Sequence, residues 1–244
     1  MNIYSNIITN KLKEKKQFSV LIDPDKQTPE SLREIVAISE KSRIDYFFIG
    51  GSLFTNNHLD ICIKQIKENS DIPVVLFPGN TMQINGNADA ILFLSLISGR
   101  NPEMLIGKHV IASAYIKETS LEVIPTGYML IDSGRPTAAL YMSNSTPIPY
   151  DKDEIAVCTA MAGEMLGLKL IYLDAGSGAQ NTISESMIAK VKEKITVPLI
   201  VGGGIRNPER AIDVFKAGAD MIVIGNAIEK NPELIEIVSK ALKQ

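Results

Sequence analysis

Eight short apolar runs alternate with longer amphipathic segments along this chain, and no other feature constrains its fold as strongly. The runs are rich in Val, Ile, Leu or Phe, as expected of parallel strands that are covered on both faces. Eight such strands with helices between them favour a closed barrel over an open, doubly wound sheet. The predicted strands are residues 18–23, 46–50, 74–77, 90–94, 110–115, 168–174, 199–201 and 221–224.

Most of the gaps between these runs have helix signals. Thr28 precedes Pro29 and Glu30, which is the order of an N-cap, a first-turn proline and an early acid. Residues 78–89 contain too many Gly and Asn residues for a proper helix, and residues 117–150 hold a further strand-like run, 128–131, before a Pro/Ser/Asn-rich stretch. We therefore predict that residues 1–244 form one α/β domain. It is a modified (β/α)8 TIM barrel with its third helix missing or replaced by an irregular segment, and with an elaborated fifth loop.

Composition and charge argue against several classes of partner. The net charge is -3 and no run of Lys and Arg forms a stripe, so nucleic acid is not an expected partner. No segment has the pattern of a signal peptide or the roughly 20 apolar residues of a spanning helix, which predicts a cytoplasmic protein with at most peripheral membrane contact. Cys62 and Cys158 are isolated in the sequence, and we expect reduced thiols.

Small residues follow each of the last three predicted strands, at 172–179, 202–206 and 225–227. In such barrels the active site lies at the carboxyl ends of the strands, and the loops after strands seven and eight commonly bind phosphate. Glycine lets backbone N–H groups approach an anion closely. The three loops therefore predict a phosphate site. The alternative is that these glycines serve only tight turns and close packing; their spacing does not complete a G-x-G-x-x-G dinucleotide motif.

Two oxygen-bearing side chains follow the first two predicted strands. Asp23 ends the first strand, and Ser52 comes just after the second. A carboxylate is a hard ligand suited to Mg2+, which keeps several waters and bridges to substrate phosphates. The alternative for Asp23 is a loop cap. His58 and His109 are expected near the start of a surface helix and just before a strand, respectively, so neither is placed as a catalytic base.

Several motifs, in this order, resemble one family of enzymes. They are Asp23-Pro24-Asp25-Lys26, Gly50-Gly51-Ser52, the 172–178 segment, Gly202-Gly203-Gly204 and Gly225-Asn226. This combination resembles the geranylgeranylglyceryl phosphate synthases, which belong with the PcrB-like prenyltransferases, and it spans about residues 18–228. Segments 125–128 and 143–149 are similar to the larger, archaeal-type branch, which also occurs in some bacteria.

The resemblance implies a specific reaction. A prenyltransferase of this family forms an ether bond between the 3-hydroxyl of sn-glycerol 1-phosphate and a long-chain prenyl diphosphate, and releases diphosphate. The resemblance implies geranylgeranyl diphosphate as the expected prenyl donor. It implies Mg2+ on Asp23 and Ser52, and a homo-oligomer. The implied glycerol phosphate site is Tyr172, Leu173, Asp174, Ala175, Gly176, Ser177, Gly178, Gly203, Gly204, Gly225 and Asn226.

Asp174 is the candidate catalytic residue, because its carboxylate can orient the 3-hydroxyl and accept its proton. The family usually has glutamate at this position, one methylene longer. Some bacterial relatives also have lysine where this chain has Leu21.

Two other functions stay open at this point. A sugar-phosphate isomerase or cyclase of the histidine-biosynthesis kind also binds phosphate in late glycine loops, and would use Asp23 and Asp132. A phosphate-binding protein without turnover is the alternative from a different class. The 172–178 motif together with Gly50-Gly51-Ser52 favours the prenyltransferase.

Overall fold

The computed structural model of the chain describes residues 2–56 and 58–242. Eight parallel strands follow one another around a closed barrel, and β1 pairs with β8 to complete it. The predicted barrel is confirmed. The strands are β1 Gln17–Ile22, β2 Tyr46–Ile49, β3 Val74–Leu76, β4 Ala90–Leu96, β5 Glu122–Leu130, β6 Leu170–Asp174, β7 Leu199–Gly202 and β8 Met221–Ile224.

Helices surround the barrel and also cover its amino end. Ile3 and Ile7 of the first helix are buried against the barrel interior, and the backbone N–H groups of Ile3 and Tyr4 donate to the Glu122 carboxylate. The opposite, carboxyl end stays open to the site. The helices are α1 Ile3–Leu12, α2 Pro29–Ser42, α3 Leu59–Asn69, α4 Lys108–Lys117, α5 Ala138–Ser143, α6 Asp153–Met165, α7 Glu185–Lys194, α8 Pro208–Lys216, α9 Asn226–Lys230 and α10 Leu234–Ala241.

The N-cap predicted at Thr28 forms, and Asn207 caps a later helix in the same way. The Thr28 side chain accepts from the backbone N–H of Ser31 at the start of α2, and the Asn207 side chain accepts from Arg210 at the start of α8. Each cap satisfies a backbone donor that the first turn of a helix leaves without a partner. None of the helices within the described residues is both long and apolar enough to span a bilayer.

The prediction of the fifth strand was wrong. Residues 110–115 lie inside α4, and the fifth strand is β5, which contains most of the further strand-like run at 128–131. His109 accordingly lies in a helix and does not precede a strand. In α4, His109, Ala112 and Ile116 are buried while Val110, Ile111 and Tyr115 are exposed. Apolar residues on the exposed face made the helix resemble a continuous buried strand.

The helix that a regular barrel has between its third and fourth strands is absent, as predicted. Between β3 and β4 the chain forms an irregular segment with one short 3-10 turn, Thr81–Gln83. The Gln83 side-chain amide donates to the Gly51 carbonyl, and its oxygen accepts from the backbone N–H of Gly79. A Cβ atom at Gly79 would lie 2.3 Å from the Gly51 carbonyl oxygen, so only glycine permits this approach. The segment is thus fastened beside Ser52.

The elaborated fifth loop is also confirmed, because the connection after β5 forms α5 before it reaches α6. The loop lies against the loop after β6. The backbone N–H of Asn181 donates to the Ser133 carbonyl, and Gly176 packs directly against the Thr137 side chain. Both cysteines are free, Cys62 buried and Cys158 exposed.

Candidate functional site

A large cavity of about 800 Å3 opens at the carboxyl ends of the strands. Most of the site residues implied by the sequence line it, although they come from five separate segments of the chain. Leu173 and Ala175 are exceptions: their side chains are buried in the outer core, because alternate residues of a strand face opposite sides. The residues brought together are Asp23, Ser52, Tyr172, Asp174, Gly176, Ser177, Gly178, Gly203, Gly204, Gly225 and Asn226.

The three glycine loops form one continuous surface. Gly176 and Gly203 both have positive φ angles, +85° and +83°, which residues with a Cβ atom rarely adopt. A Cβ atom at Gly203 would lie 2.8 Å from the Gly176 nitrogen, so the loops after β6 and β7 meet backbone to backbone. The Ser177 hydroxyl donates to the Asn226 side-chain oxygen at 2.9 Å, which joins the loop after β8. This arrangement suits a phosphate group that accepts from several backbone N–H groups.

Asp174 ends β6 as a buried carboxyl group that faces the cavity. One carboxylate oxygen accepts from the Tyr128 hydroxyl at 2.5 Å, and the other accepts from the backbone N–H of Gly176 at 2.7 Å. Burial raises the pKa of Asp174, while these two hydrogen bonds lower it and do not fully offset the burial. A buried carboxylate with a raised pKa is suited to accept a proton near neutral pH.

Aromatic rings form the floor below Asp174. The Phe77 ring stacks on Tyr172 with centroids 5.3 Å apart, and Tyr128 meets both rings edge-on at 5.5 to 5.6 Å. A Cβ atom at residue 202 would lie 2.4 Å from the Tyr172 hydroxyl oxygen, so Gly202 is needed to accommodate that ring. The floor closes the barrel interior below the site and fixes the direction of the Tyr128 hydroxyl.

An acidic pair lies across the cavity mouth from the Asp174 carboxyl. The Lys26 ammonium lies 3.0 Å from the Asp23 carboxylate and 3.5 Å from Glu229. Burial, with a smaller contribution from the Asp23 charge, raises the pKa of Glu229. The Gly51 backbone packs against Asp23, since a Cβ atom there would lie 3.1 Å from Oδ1, and Ser52 follows it on the cavity wall.

These residues fit a Mg2+ ion by donor type. Asp23 already balances a positive charge at the cavity surface, and the Ser52 hydroxyl belongs to the adjoining wall. No cluster of three or more His, Cys, Asp or Glu side chains able to hold a metal occurs within the described residues. A Mg2+ site does not need such a cluster, since the ion commonly binds one or two carboxylates and completes its coordination shell with water and phosphate oxygens.

An apolar part of the cavity extends along β4 toward α4. His109 belongs to this wall: its Nε2 atom lies 3.2 Å from the Ser95 hydroxyl oxygen, and its ring contacts Phe93 edge-on. The wall occupies the side of the barrel where no helix follows β3, between the 81–84 segment and α4. Its apolar side chains are Ile84, Phe93, Leu94, Leu96, Met104, Ala112 and Ile116.

Sequence reasoning did not assign roles to several residues of the cavity. Tyr128 was noted only as part of a motif, and Lys26, Glu229 and Arg135 were not considered as site residues, although all four line the cavity. Tyr128 was the easiest to find, since it lies near the carboxyl end of a strand. Nothing in the local sequence indicates that Arg135, in the fifth loop, reaches the sixth.

Comparison with known proteins identifies the family of the chain. Residues 10–242 match the PcrB family. The chain belongs to the PcrB family. A relative from Chitinophaga pinensis named geranylgeranylglyceryl phosphate synthase is 55% identical over 240 residues, which covers 98% of this chain and 95% of the relative. A relative of the same name from Pyrococcus furiosus is 43% identical over 234 residues, 96% of this chain and 92% of the relative.

Solved structures of PcrB family relatives agree with the fold. The crystal structure of (S)-3-O-geranylgeranylglyceryl phosphate synthase from Thermoplasma acidophilum, in complex with its substrate sn-glycerol-1-phosphate, has a TM-score of 0.94 at 32% identity. The comparison covers 100% of this chain and 99% of that one. Tryptophan synthase subunit alpha from Legionella pneumophila, at a TM-score of 0.60 and 16% identity, shares the barrel fold alone.

Proposed function

We propose that this PcrB family member transfers a prenyl group from a prenyl diphosphate to the 3-hydroxyl of sn-glycerol 1-phosphate. The expected donor is geranylgeranyl diphosphate. The observation that supports this most is the division of one cavity into two parts. Glycine loops and Asn226 form one part, and an apolar wall that includes Phe93 and Ile116 forms the other. An enzyme that joins a small phosphate to a long hydrocarbon needs both parts at one site.

The acceptor half of the reaction depends on the β6 loop. The glycine loops hold the phosphate, which leaves the 3-hydroxyl to point inward toward Asp174. The Asp174 carboxylate orients that hydroxyl and takes its proton as the new C–O bond forms. The hydrogen bonds from Tyr128 and Gly176 fix the carboxylate in place. Because the Asp174 side chain is one methylene shorter than glutamate, the 3-hydroxyl of the acceptor has to lie closer to the β6 backbone.

The donor half depends on the opposite wall. The prenyl chain lies against apolar side chains such as Phe93, Met104 and Ala112, where burying each CH2 contributes about 0.8 kcal/mol. The diphosphate lies at the mouth, where Asp23 and Ser52 would hold Mg2+. When bound, that ion supplies charge neutralisation for the diphosphate leaving group as the allylic C1–O bond breaks. Holding both reactants in line lowers the barrier by up to roughly 7–11 kcal/mol.

The apolar wall also distinguishes this function from its enzymatic alternative. A sugar-phosphate isomerase or cyclase acts on a polar substrate, for which an apolar extension beside α4 has no use. Asp132, which that alternative would use, is not among the residues that line the cavity. Both observations, together with membership of the PcrB family, favour prenyl transfer.

A donor series tests the proposal. The protein is incubated with Mg2+, sn-glycerol 1-phosphate and prenyl diphosphates of 10 to about 35 carbons, and diphosphate release is followed. We expect release that depends on the acceptor and stops when a chelator removes the metal. Absence of release with every donor would contradict the proposed function. Release without acceptor would instead show a hydrolase.

A further inference from the structure

We propose that Arg135 binds the phosphate of the glycerol phosphate acceptor, with its guanidinium placed over the loop after β6. This assignment rests on the proposed function and adds a residue to its site. It predicts that this phosphate is held by a fixed positive charge in addition to backbone N–H groups. Arg135 comes from the fifth loop, outside the three glycine loops.

The guanidinium of Arg135 lies directly against the loop after β6. An atom at the Cβ position of Gly178 would lie 2.6 Å from Arg135 Nη2 and 3.7 Å from the Asn226 side-chain nitrogen. Two side-chain donors, one of them charged, therefore approach the same point above Gly178. The Ser177 hydroxyl is bonded to Asn226 beside that point. A charged and a neutral donor that converge on a glycine loop suit an anion with several acceptor oxygens.

The backbone on both sides of Arg135 is fastened to the loop after β6. On one side, Gly134 has a φ of +86°, and its Cβ position lies 3.1 Å from the Asn181 side-chain nitrogen. On the other side, the Thr137 side chain packs against Gly176, where a Cβ atom would lie 2.7 Å from the threonine hydroxyl oxygen. Arg135 therefore projects from a segment anchored to the loop that it covers, which places its guanidinium at this loop.

The guanidinium is also available to a ligand. No hydrogen bond or ion pair joins it to another group within residues 2–56 and 58–242. Two other cationic groups of the cavity, Lys26 and Arg206, already have partners. Lys26 is paired with Asp23 and Glu229, and Arg206 donates to the carbonyl oxygens of Ala179 and Gln180. A phosphomonoester would fit here because a planar guanidinium offers it two parallel N–H donors.

Calorimetric titration tests the assignment without requiring turnover. The wild type, Arg135→Ala, Arg135→Lys and the control Arg33→Ala are titrated with sn-glycerol 1-phosphate and with inorganic phosphate at one salt concentration. Arg33 pairs with Glu30 on the exposed surface of α2, away from the cavity. We expect the Kd for glycerol phosphate to rise about 10- to 100-fold in Arg135→Ala, less in Arg135→Lys, and to stay unchanged in Arg33→Ala.

Steady-state kinetics then identify which substrate Arg135 binds. The KM for glycerol phosphate should rise in Arg135→Ala while the KM for geranylgeranyl diphosphate stays the same. A rise in the KM for geranylgeranyl diphosphate instead would overturn the assignment. So would a Kd of Arg135→Ala for glycerol phosphate within twofold of the wild-type value. Should Arg135→Ala fail to fold, Arg135→Gln repeats the test. A wild type that binds glycerol phosphate but transfers no prenyl group would contradict the proposed function, and leave the role of Arg135 to the titration.

Discussion

Replacing Tyr128 with phenylalanine removes one hydroxyl group from a buried polar contact of the site. That hydroxyl donates to Asp174 at 2.5 Å, and both side chains are less than 10% exposed. A hydrogen bond to a charged group contributes about 1.5–3 kcal/mol, and one to a neutral group about 0.5–1.5 kcal/mol. Tyr128→Phe should therefore lower the free energy of unfolding by the larger amount where Asp174 is ionised and by the smaller amount where it is protonated.

The pH dependence has a definite sign. Burial already raises the folded-state pKa of Asp174, and the Tyr128 hydroxyl opposes that rise, so Tyr128→Phe raises the pKa further. A carboxyl group whose folded-state pKa is raised lowers the free energy of unfolding as pH increases from its unfolded-state pKa to its folded-state pKa, and no further above that. As pH rises, the variant therefore loses more unfolding free energy than the wild type only at pH values above the folded-state pKa of Asp174 in the wild type. For the same reason, the acidic limb of the kcat profile should move to higher pH.

Urea unfolding followed by circular dichroism, at several pH values from acid to pH 8.5, measures this difference. Tyr46→Phe is the matched control, because Tyr46 is a buried tyrosine whose hydroxyl donates to the neutral side chain of Gln17 at 3.4 Å. The decrease in unfolding free energy caused by Tyr46→Phe should not depend on whether Asp174 is protonated. Equal losses for Tyr128→Phe at both ends of the range, with an unmoved kcat profile, would refute the assignment of Asp174 as a base held by Tyr128.

Three further substitutions have defined outcomes. Asp174→Asn should lower kcat by about 10^2- to 10^4-fold while the Kd for glycerol phosphate changes little; equal losses in both would make Asp174 a binding residue. Gly203→Ala should cost about 1–3 kcal/mol more stability than Gly167→Ala, measured by urea unfolding. Both positions have a φ above +80°, but a Cβ atom at Gly203 meets backbone atoms and one at Gly167 meets nothing within 4 Å. Asp23→Asn should raise the Mg2+ concentration for half-maximal turnover at least about tenfold, since a carboxylate is a stronger Mg2+ ligand than an amide; an unchanged requirement would place the metal elsewhere.

The sequence predicted those parts of the molecule whose cause is local. β7 and β8 are short β-branched runs followed by glycine, and the positive φ angles of Gly203 and Gly204 match the turns expected there. Asp23 and Ser52 line the same cavity because the carboxyl ends of neighbouring parallel strands lie at one edge of a barrel. The missing third helix was visible because Gly and Asn residues are poor helix formers.

The parts that could not be predicted depend on contacts distant in sequence. Pro125 and Gly127 hid β5, since both residues are unfavourable inside a strand. In the barrel, the Pro125 carbonyl accepts from Lys169, and a Cβ atom at Gly127 would lie 2.8 Å from the Ile97 side chain. Arg135 reaches Gly178 only because the fifth and sixth loops pack together. A pattern of single residues does not contain such a contact.

The central claim is tested most directly by the identity of the product. The wild type is incubated with Mg2+, geranylgeranyl diphosphate and either sn-glycerol 1-phosphate or sn-glycerol 3-phosphate, and the lipid fraction is examined by mass spectrometry. We predict a geranylgeranyl ether of glycerol phosphate from the first isomer alone, since the two isomers are mirror images and cannot both present the phosphate, the C2 hydroxyl and the primary hydroxyl to the same groups of one chiral site. No ether product from either isomer, with this donor or with longer ones, would contradict the account.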